Sequence, residues 1–236
     1  MSILSLIKNN LRAISLKFLP NMNQKILFEI NKFTIRNKKS NHAKKLPASV
    51  FFTDRAKINN LDLTIKSLPK KSAIIIREYD LDQINREIFA RKIISLARGL
   101  GLTVLVGKDI ALAKKIKADG VHFSDFDKLP YKFFNKKTFD KKFIFSLACH
   151  NLKSVIKSQK LKPDIIFIAP IFLTKSHLNA KTIGLKNLAK ISLKTKNINY
   201  LKTAVYALGG INESNILSIR KLNLAGFAAI SLFLRT

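Results

Sequence analysis

Cysteine is nearly absent from this 236-residue chain, Cys149 being the sole one. That excludes an internal disulfide and predicts a reducing, cytoplasmic setting. Acidic residues are scarce as well: 14 Asp and Glu against 44 Lys and Arg give a formal net charge of +30. No apolar run reaches the roughly 18 uncharged residues that a bilayer span needs. The opening MSILSLIKNNLRAISLKFLP lacks the continuous apolar segment and small-residue cleavage site of a secretory signal, and reads as a short amphipathic helix with a basic face. Arginine, too, is sparse, supplying 9 of the 44 basic residues, while Lys runs from end to end. RNA readers pair Arg with exposed aromatics, whereas most of the 17 Phe here lie inside apolar runs. Specific nucleic-acid recognition is therefore disfavoured. The charge reads as compositional drift on a solvated surface.

What the chain does have is a regular alternation. Eight short β-like runs cover residues 49–53, 73–77, 103–106, 120–123, 143–148, 164–169, 204–208 and 227–230. Most are near-continuous Val, Ile, Phe and Ala, as expected of parallel strands buried on both faces. Helical stripes lie between them: Leu81, Ile84 and Ile88 running into Phe89, Ile93, Leu96 and Ala97, then 110–116, 152–156, 185–192 and 216–222. Eight such units in about 250 residues predict a single TIM (β/α)8 barrel, with an open Rossmann sheet as the alternative. The last run lies about six residues from the end of the sequence, which predicts a barrel without its last outer helix. Residues 1–45 form a basic helical extension and linker, with apolar stripes at 3–16 and 26–33 suited to covering the exposed side of the barrel at 46–236.

The segment from Ala204 to Ser231 is the richest in meaning. An apolar run ends at Gly209-Gly210, a helical pattern opens at Asn212, and a second run ends at Ser231. Strand, glycine pair, helix and strand is how parallel α/β proteins build a phosphate pocket, because glycine lets backbone N–H groups approach the oxygens. In a TIM barrel the site lies at the C-terminal strand ends. The polar residues there are Asp54 and Arg55; Arg77, Glu78 and Tyr79; Lys108 and Asp109; His122, Ser124, Asp125 and Asp127; Ser146, Cys149 and His150; Thr174 to His177; and Gly209, Gly210 and Ser231. Cationic groups, backbone donors and a few carboxylates at one mouth suit a doubly phosphorylated substrate with magnesium. His122 and His150 read equally as core and as functional residues. Cys149 reads as packed, and Asp125 and Asp127 read alternatively as capping groups.

Five segments in order carry a family resemblance: FFTDR (51–55), IIIREYD (74–80), ADGVHFSDFD (118–127), APIFLTKSH (169–177) with Gly184 downstream, and YALGGI (206–211). Together they resemble thiamine phosphate synthases and the related thiazole tautomerases, both TIM barrels. The resemblance implies coupling of hydroxymethylpyrimidine pyrophosphate to thiazole phosphate through a pyrimidine cation. It implies Arg77, Ser146 (at the end of the fifth strand) and His177 as catalytic groups and Asp127 as a magnesium ligand. Substrate contacts implied in the same way are Thr174, Ser176, Gly184, Gly209, Gly210 and Ser231, and Tyr79 and Lys108 are read as further substrate-binding candidates. Three positions depart from the family pattern: Tyr79 stands in place of a lysine, Gly107-Lys108 in place of an Asn-Asp pair whose Asp binds magnesium, and His177 in place of a lysine. A lysine at 108 weakens divalent binding and supplies positive charge directly. The alternatives are a thiazole-phosphate isomerase with His177 or His150 as proton shuttle, and a catalytically silent barrel that binds phosphate or RNA.

Overall fold

The computed structural model describes residues 24–38, 45–129, 142–174, 181–197 and 203–234. Eight parallel strands close into a barrel in sequence order: β1 (Ser49–Phe52), β2 (Ala73–Ile76), β3 (Thr103–Gly107), β4 (Gly120–Ser124), β5 (Ile144–Cys149), β6 (Ile165–Ile168), β7 (Ala204–Leu208) and β8 (Gly226–Ala229). Closure is made by β1 and β8, with Val50 opposite Ala228. This is the TIM barrel the alternation predicts; the open sheet is excluded. Strands buried on both faces need apolar side chains at every position, which is why these runs lack polar alternation. One set, including Val104, Val106, Val121, Ile166 and Ile168, packs outward under the helices. The other, including Val50, Phe52, Ile75, Leu105, Phe167 and Tyr206, fills the barrel interior.

The outer elements are α1 (Gln24–Lys38), α2 (Leu61–Lys66), α3 (Gln83–Gly99), α4 (Ile110–Lys115), α5 (Leu152–Ser158), α6 (Gly184–Asn197) and α7 (Ile216–Arg220). Two sequence expectations are corrected here. In α3, Ile84 and Ile88 are 73% and 62% exposed, and the buried face is Arg86, Ala90, Ile93, Ile94 and Ala97. The apolar spacing identified the helix and misplaced the inward side of its first turns. The helix after Gly210 begins at Ile216, not Asn212, because Asn212 and Asn215 side chains satisfy the intervening N–H groups and hold a turn.

After β8 comes a short 3₁₀ turn, Ser231–Phe233, and α1 packs where a final helix would lie. Ile26, Ile30 and Phe33 are buried, and the Phe33 ring meets Phe227 of β8 edge-on at 5.5 Å. Arg36 donates to the carbonyls of Leu222 (2.6 Å), Leu224 (3.0 Å) and Arg220 (3.0 Å), satisfying oxygens exposed at the end of α7. Arg220 in turn pairs with the buried Glu29 at 3.2 Å. The stripe predicted at 3–16 and most of the linker lie outside the described residues.

Candidate active site at the barrel mouth

Just inside the C-terminal rim, three rings close the barrel interior. Phe52, His122 and Phe167 meet edge-to-face, with centroids 5.2 to 5.7 Å apart. His122 Nδ1 lies 3.0 Å from Ser146 Oγ, and that hydroxyl donates to the Val121 carbonyl at 3.3 Å. Burial pushes the His122 pKa down to about 3, with Arg77, Lys108 and His150 adding to the fall and Asp127 opposing it. The imidazole is therefore neutral. Ser146 is fully buried in the body of β5, which runs on to Cys149. Its expected place at the strand end is corrected: the apolar run continues three residues past it, and Ser146 serves His122 instead of the rim. Cys149 is buried as expected, and burial together with the Asp125 charge pushes its thiol up to about 12.

On the rim after β1 and β2, a buried carboxylate organises the backbone. Glu78 accepts from the Thr53 hydroxyl, from Arg55 N–H at 2.9 Å and from Arg77 N–H at 3.2 Å. Arg77 Nε donates to the Thr53 carbonyl at 3.1 Å, and its Nη2 pairs with Asp54 at 3.0 Å. Arg86, 9% exposed, joins this loop to the next one, donating to the Arg77 carbonyl at 3.2 Å and the Gly107 carbonyl at 2.6 Å. It also faces Asp109 at 3.5 Å. Sequence reading missed Arg86 altogether. Its signal was periodicity, since positions 86, 90, 93 and 97 share one buried face.

The β2, β3 and β4 loops meet around Tyr79. Its ring sits under Lys108 Nζ (4.8 Å) and the Arg86 guanidinium (5.3 Å), and its hydroxyl packs against Gly107, where an added Cβ would lie 2.3 Å away. Tyr79 is 47% exposed; desolvation of its inner side pushes the phenol up to about 12 against the opposing pull of Arg77 and Arg86, and it stays protonated and able to donate. Lys108 Nζ lies 2.7 Å from Asp127 Oδ1, while Asp127 Oδ2 accepts from Ser124 N–H at 2.7 Å. Both oxygens of the expected magnesium ligand are thus engaged. Neighbouring Asp109 is occupied too, capping α4 through Leu112 N–H and facing Arg86. Among the described residues no group of three or more His, Cys, Asp or Glu is placed to hold a metal. Magnesium beside a phosphate needs one or two free carboxylates, and with Asp127 and Asp109 both engaged this donor set does not fit it.

Beyond β5, His150 Nδ1 lies 2.5 Å from Asp125 Oδ1, and the Phe126 ring lies over the imidazole at 4.5 Å. Burial raises the Asp125 pKa, but hydrogen bonds from His150 and Ser154 outweigh it and hold the carboxyl below its ordinary value.

Across the mouth, Gly209 and Gly210 follow β7 with φ of 98° and 68°. Added Cβ atoms would meet Pro170 at 2.8 Å and the Leu173 carbonyl at 2.3 Å, so both glycines let the loop after β6 pack directly on the turn. Their carbonyls accept from Phe172 N–H (3.1 Å) and Asn215 Nδ2 (2.8 Å) respectively. The pair therefore makes the turn, whatever else it binds. Ser231 is exposed at the start of the 3₁₀ turn after β8, and Thr174 is half-buried in the loop after β6. Gly184 opens α6 with φ of 73°. Ser176 and His177 lie outside the described residues.

Comparison with known proteins agrees with this architecture. A family profile for thiamine monophosphate synthase matches residues 50–233. The chain is 32% identical over 195 residues to a putative thiamine-phosphate synthase 2 of Aquifex aeolicus, covering 80% of this chain and 98% of that one. It is 24% identical to a thiamine-phosphate synthase of Clostridium tetani, over 82% of this chain and 91% of the other. Thiamine phosphate pyrophosphorylase from Pyrococcus furiosus shares the fold, with a TM-score of 0.63 at 23% identity over 83% of this chain and 87% of that one. The matched region takes in all eight strands but for the first residue of β1, together with the whole rim they carry, and the chain belongs to the thiamine monophosphate synthase family.

Proposed function

We propose that the chain joins hydroxymethylpyrimidine pyrophosphate to thiazole phosphate and releases pyrophosphate, in the making of thiamine phosphate. The observation that carries this reading is family membership along the whole barrel, together with a cationic rim of Arg77 and Lys108 beside a protonated Tyr79. In this reading the bond from the pyrimidine methylene to the diphosphate oxygen breaks, and the electron pair leaves with oxygen. Arg77 and Lys108 face the departing charge and the Tyr79 phenol donates to it. The thiazole nitrogen then supplies its lone pair to the methylene carbon, forming the C–N bond. Gly209, Gly210, Ser231 and Thr174 hold the thiazole phosphate on the opposite side, joined by Gly184 at the start of α6. The family is generally magnesium-dependent. The contact implied for Asp127 is left out of this reading, because Lys108 holds that carboxylate.

One observation favours a second reading, isomerisation of a thiazole phosphate: the Asp125–His150 pair, with the Phe126 ring tilted against the imidazole, is built like an oriented proton shuttle. The pure protein incubated with both phosphorylated precursors separates the two. Thiamine phosphate should accumulate, and the thiazole phosphate alone should remain unchanged. Isomerised thiazole without any coupled product would replace the first reading with the second.

A further inference from the structure

We propose that this site binds the diphosphate without a metal, with the Lys108 ammonium as its resident cation. The inference rests on the synthase reading and names how that site handles its anion. One backbone contact and two contacts of the ammonium fix Lys108 in place. Lys108 N–H donates to the His122 carbonyl at 2.8 Å, anchoring the residue to β4. Its Nζ lies 2.7 Å from Asp127 Oδ1 and 4.8 Å above the Tyr79 ring. The lysine side chain is nevertheless 46% exposed, whereas Asp127 is 12% exposed, so the cation and not the carboxylate faces the mouth. An ammonium has three donors. One is directed to Asp127, and those remaining are free to meet phosphate oxygens from the open side.

Beside a diphosphate, magnesium is held by one or two free protein carboxylates together with phosphate oxygens and waters. The carboxylates nearest Lys108 are spent on Ser124 N–H, Leu112 N–H, Arg86 and Lys108 itself. Asp127 therefore acts as a positioning residue for a lysine. The backbone at Lys108 has φ of 60°, a left-handed conformation in which Asp and Asn are the best tolerated residues after glycine. Replacing Lys108 by Asp is thus compatible with the local chain and would set a second carboxylate beside Asp127. That change converts the inference into a gain of function.

The test is calorimetric titration of the full chain with inorganic pyrophosphate, once in a chelator and once in excess magnesium, with manganese binding followed by electron paramagnetic resonance. The parent should bind pyrophosphate with affinities agreeing within about twofold under the two conditions, and Lys108→Met should bind about tenfold more weakly in both. Lys108→Asp should bind pyrophosphate only with magnesium and should take up manganese, which the parent does not. If Lys108→Asp is poorly folded, the parent and Lys108→Met still decide the matter. Magnesium tightening the parent's binding by about tenfold or more, or manganese binding to the parent, overturns the metal-free inference and leaves the synthase reading standing. No pyrophosphate binding under either condition overturns the synthase reading and this inference with it.

Discussion

His122 shows how one buried side chain ties the core to the rim. It hydrogen-bonds Ser146 inside the barrel and stacks edge-on with Phe52 and Phe167, and its carbonyl receives Lys108 N–H. Its pKa falls from the ordinary 6.5 to about 3 on folding. The unfolded chain therefore takes up a proton below about pH 6.5 that the folded chain refuses until about pH 3. The stability due to neutral His122 is fully present above pH 6.5 and is lost as pH falls through that window, at a slope approaching about 1.4 kcal/mol per pH unit. Urea melts at neutral pH and near pH 4.5 should show the parent losing clearly more stability than His122→Asn. Equal losses in the two proteins would contradict the account. At this scale the sequence was only partly legible. Arg77, Tyr79, Lys108 and Asp127 were visible as polar residues after strand ends, and they do gather on one side of the mouth. Ser146 was misplaced although the run read at 143–148 already extends past it, and the structure sets it in mid-strand. Arg86 and Glu78 were given no role, because most of their partners lie on other loops, Thr53 and Arg55 for Glu78 and Gly107 and Asp109 for Arg86, which no local pattern encodes.

Among the elements, α1 is the one that departs from a repeating barrel. Its apolar stripe at 26–33 was plain in the sequence, and the described residues after β8 form a short 3₁₀ turn. What joins them was not plain, since the pairing of Phe33 with Phe227 and of Arg36 with the end of α7 spans nearly the whole chain. Phe33 is 1% exposed, so Phe33→Ala removes a full core ring at that seam. A loss of about 3 to 5 kcal/mol in guanidinium unfolding is expected, with a single cooperative transition retained. A loss below about 1 kcal/mol would mean that α1 rests on the barrel without belonging to its cooperative unit. The eight strands were legible to within a residue or two, because burial on both faces demands apolar runs that charged, Lys-rich helices and loops do not imitate. The Asn212–Asn215 turn was read as helix since Asn and Ser serve helix starts and turns by the same side-chain hydrogen bonds.

At the scale of the whole molecule, the barrel brings a cationic side and a glycine-built side to one mouth, a division that matches two phosphorylated reactants. Arg77, Lys108 and Tyr79 stand after β2 and β3, and Gly209, Gly210 and Ser231 stand after β7 and β8. A net charge of +30 spread along the chain adds general attraction for anions without choosing among them. The choice rests with the mouth. Phosphorus NMR of one reaction mixture follows both sides of the transfer at once, the diphosphate ester and the pyrophosphate it yields. Pyrophosphate should appear only when thiazole phosphate is present, in step with thiamine phosphate, and Arg77→Ala should slow both together by about a hundredfold or more. Pyrophosphate released without the thiazole, or an unchanged ester in the presence of both substrates, would contradict the assignment of this barrel as a thiamine phosphate synthase.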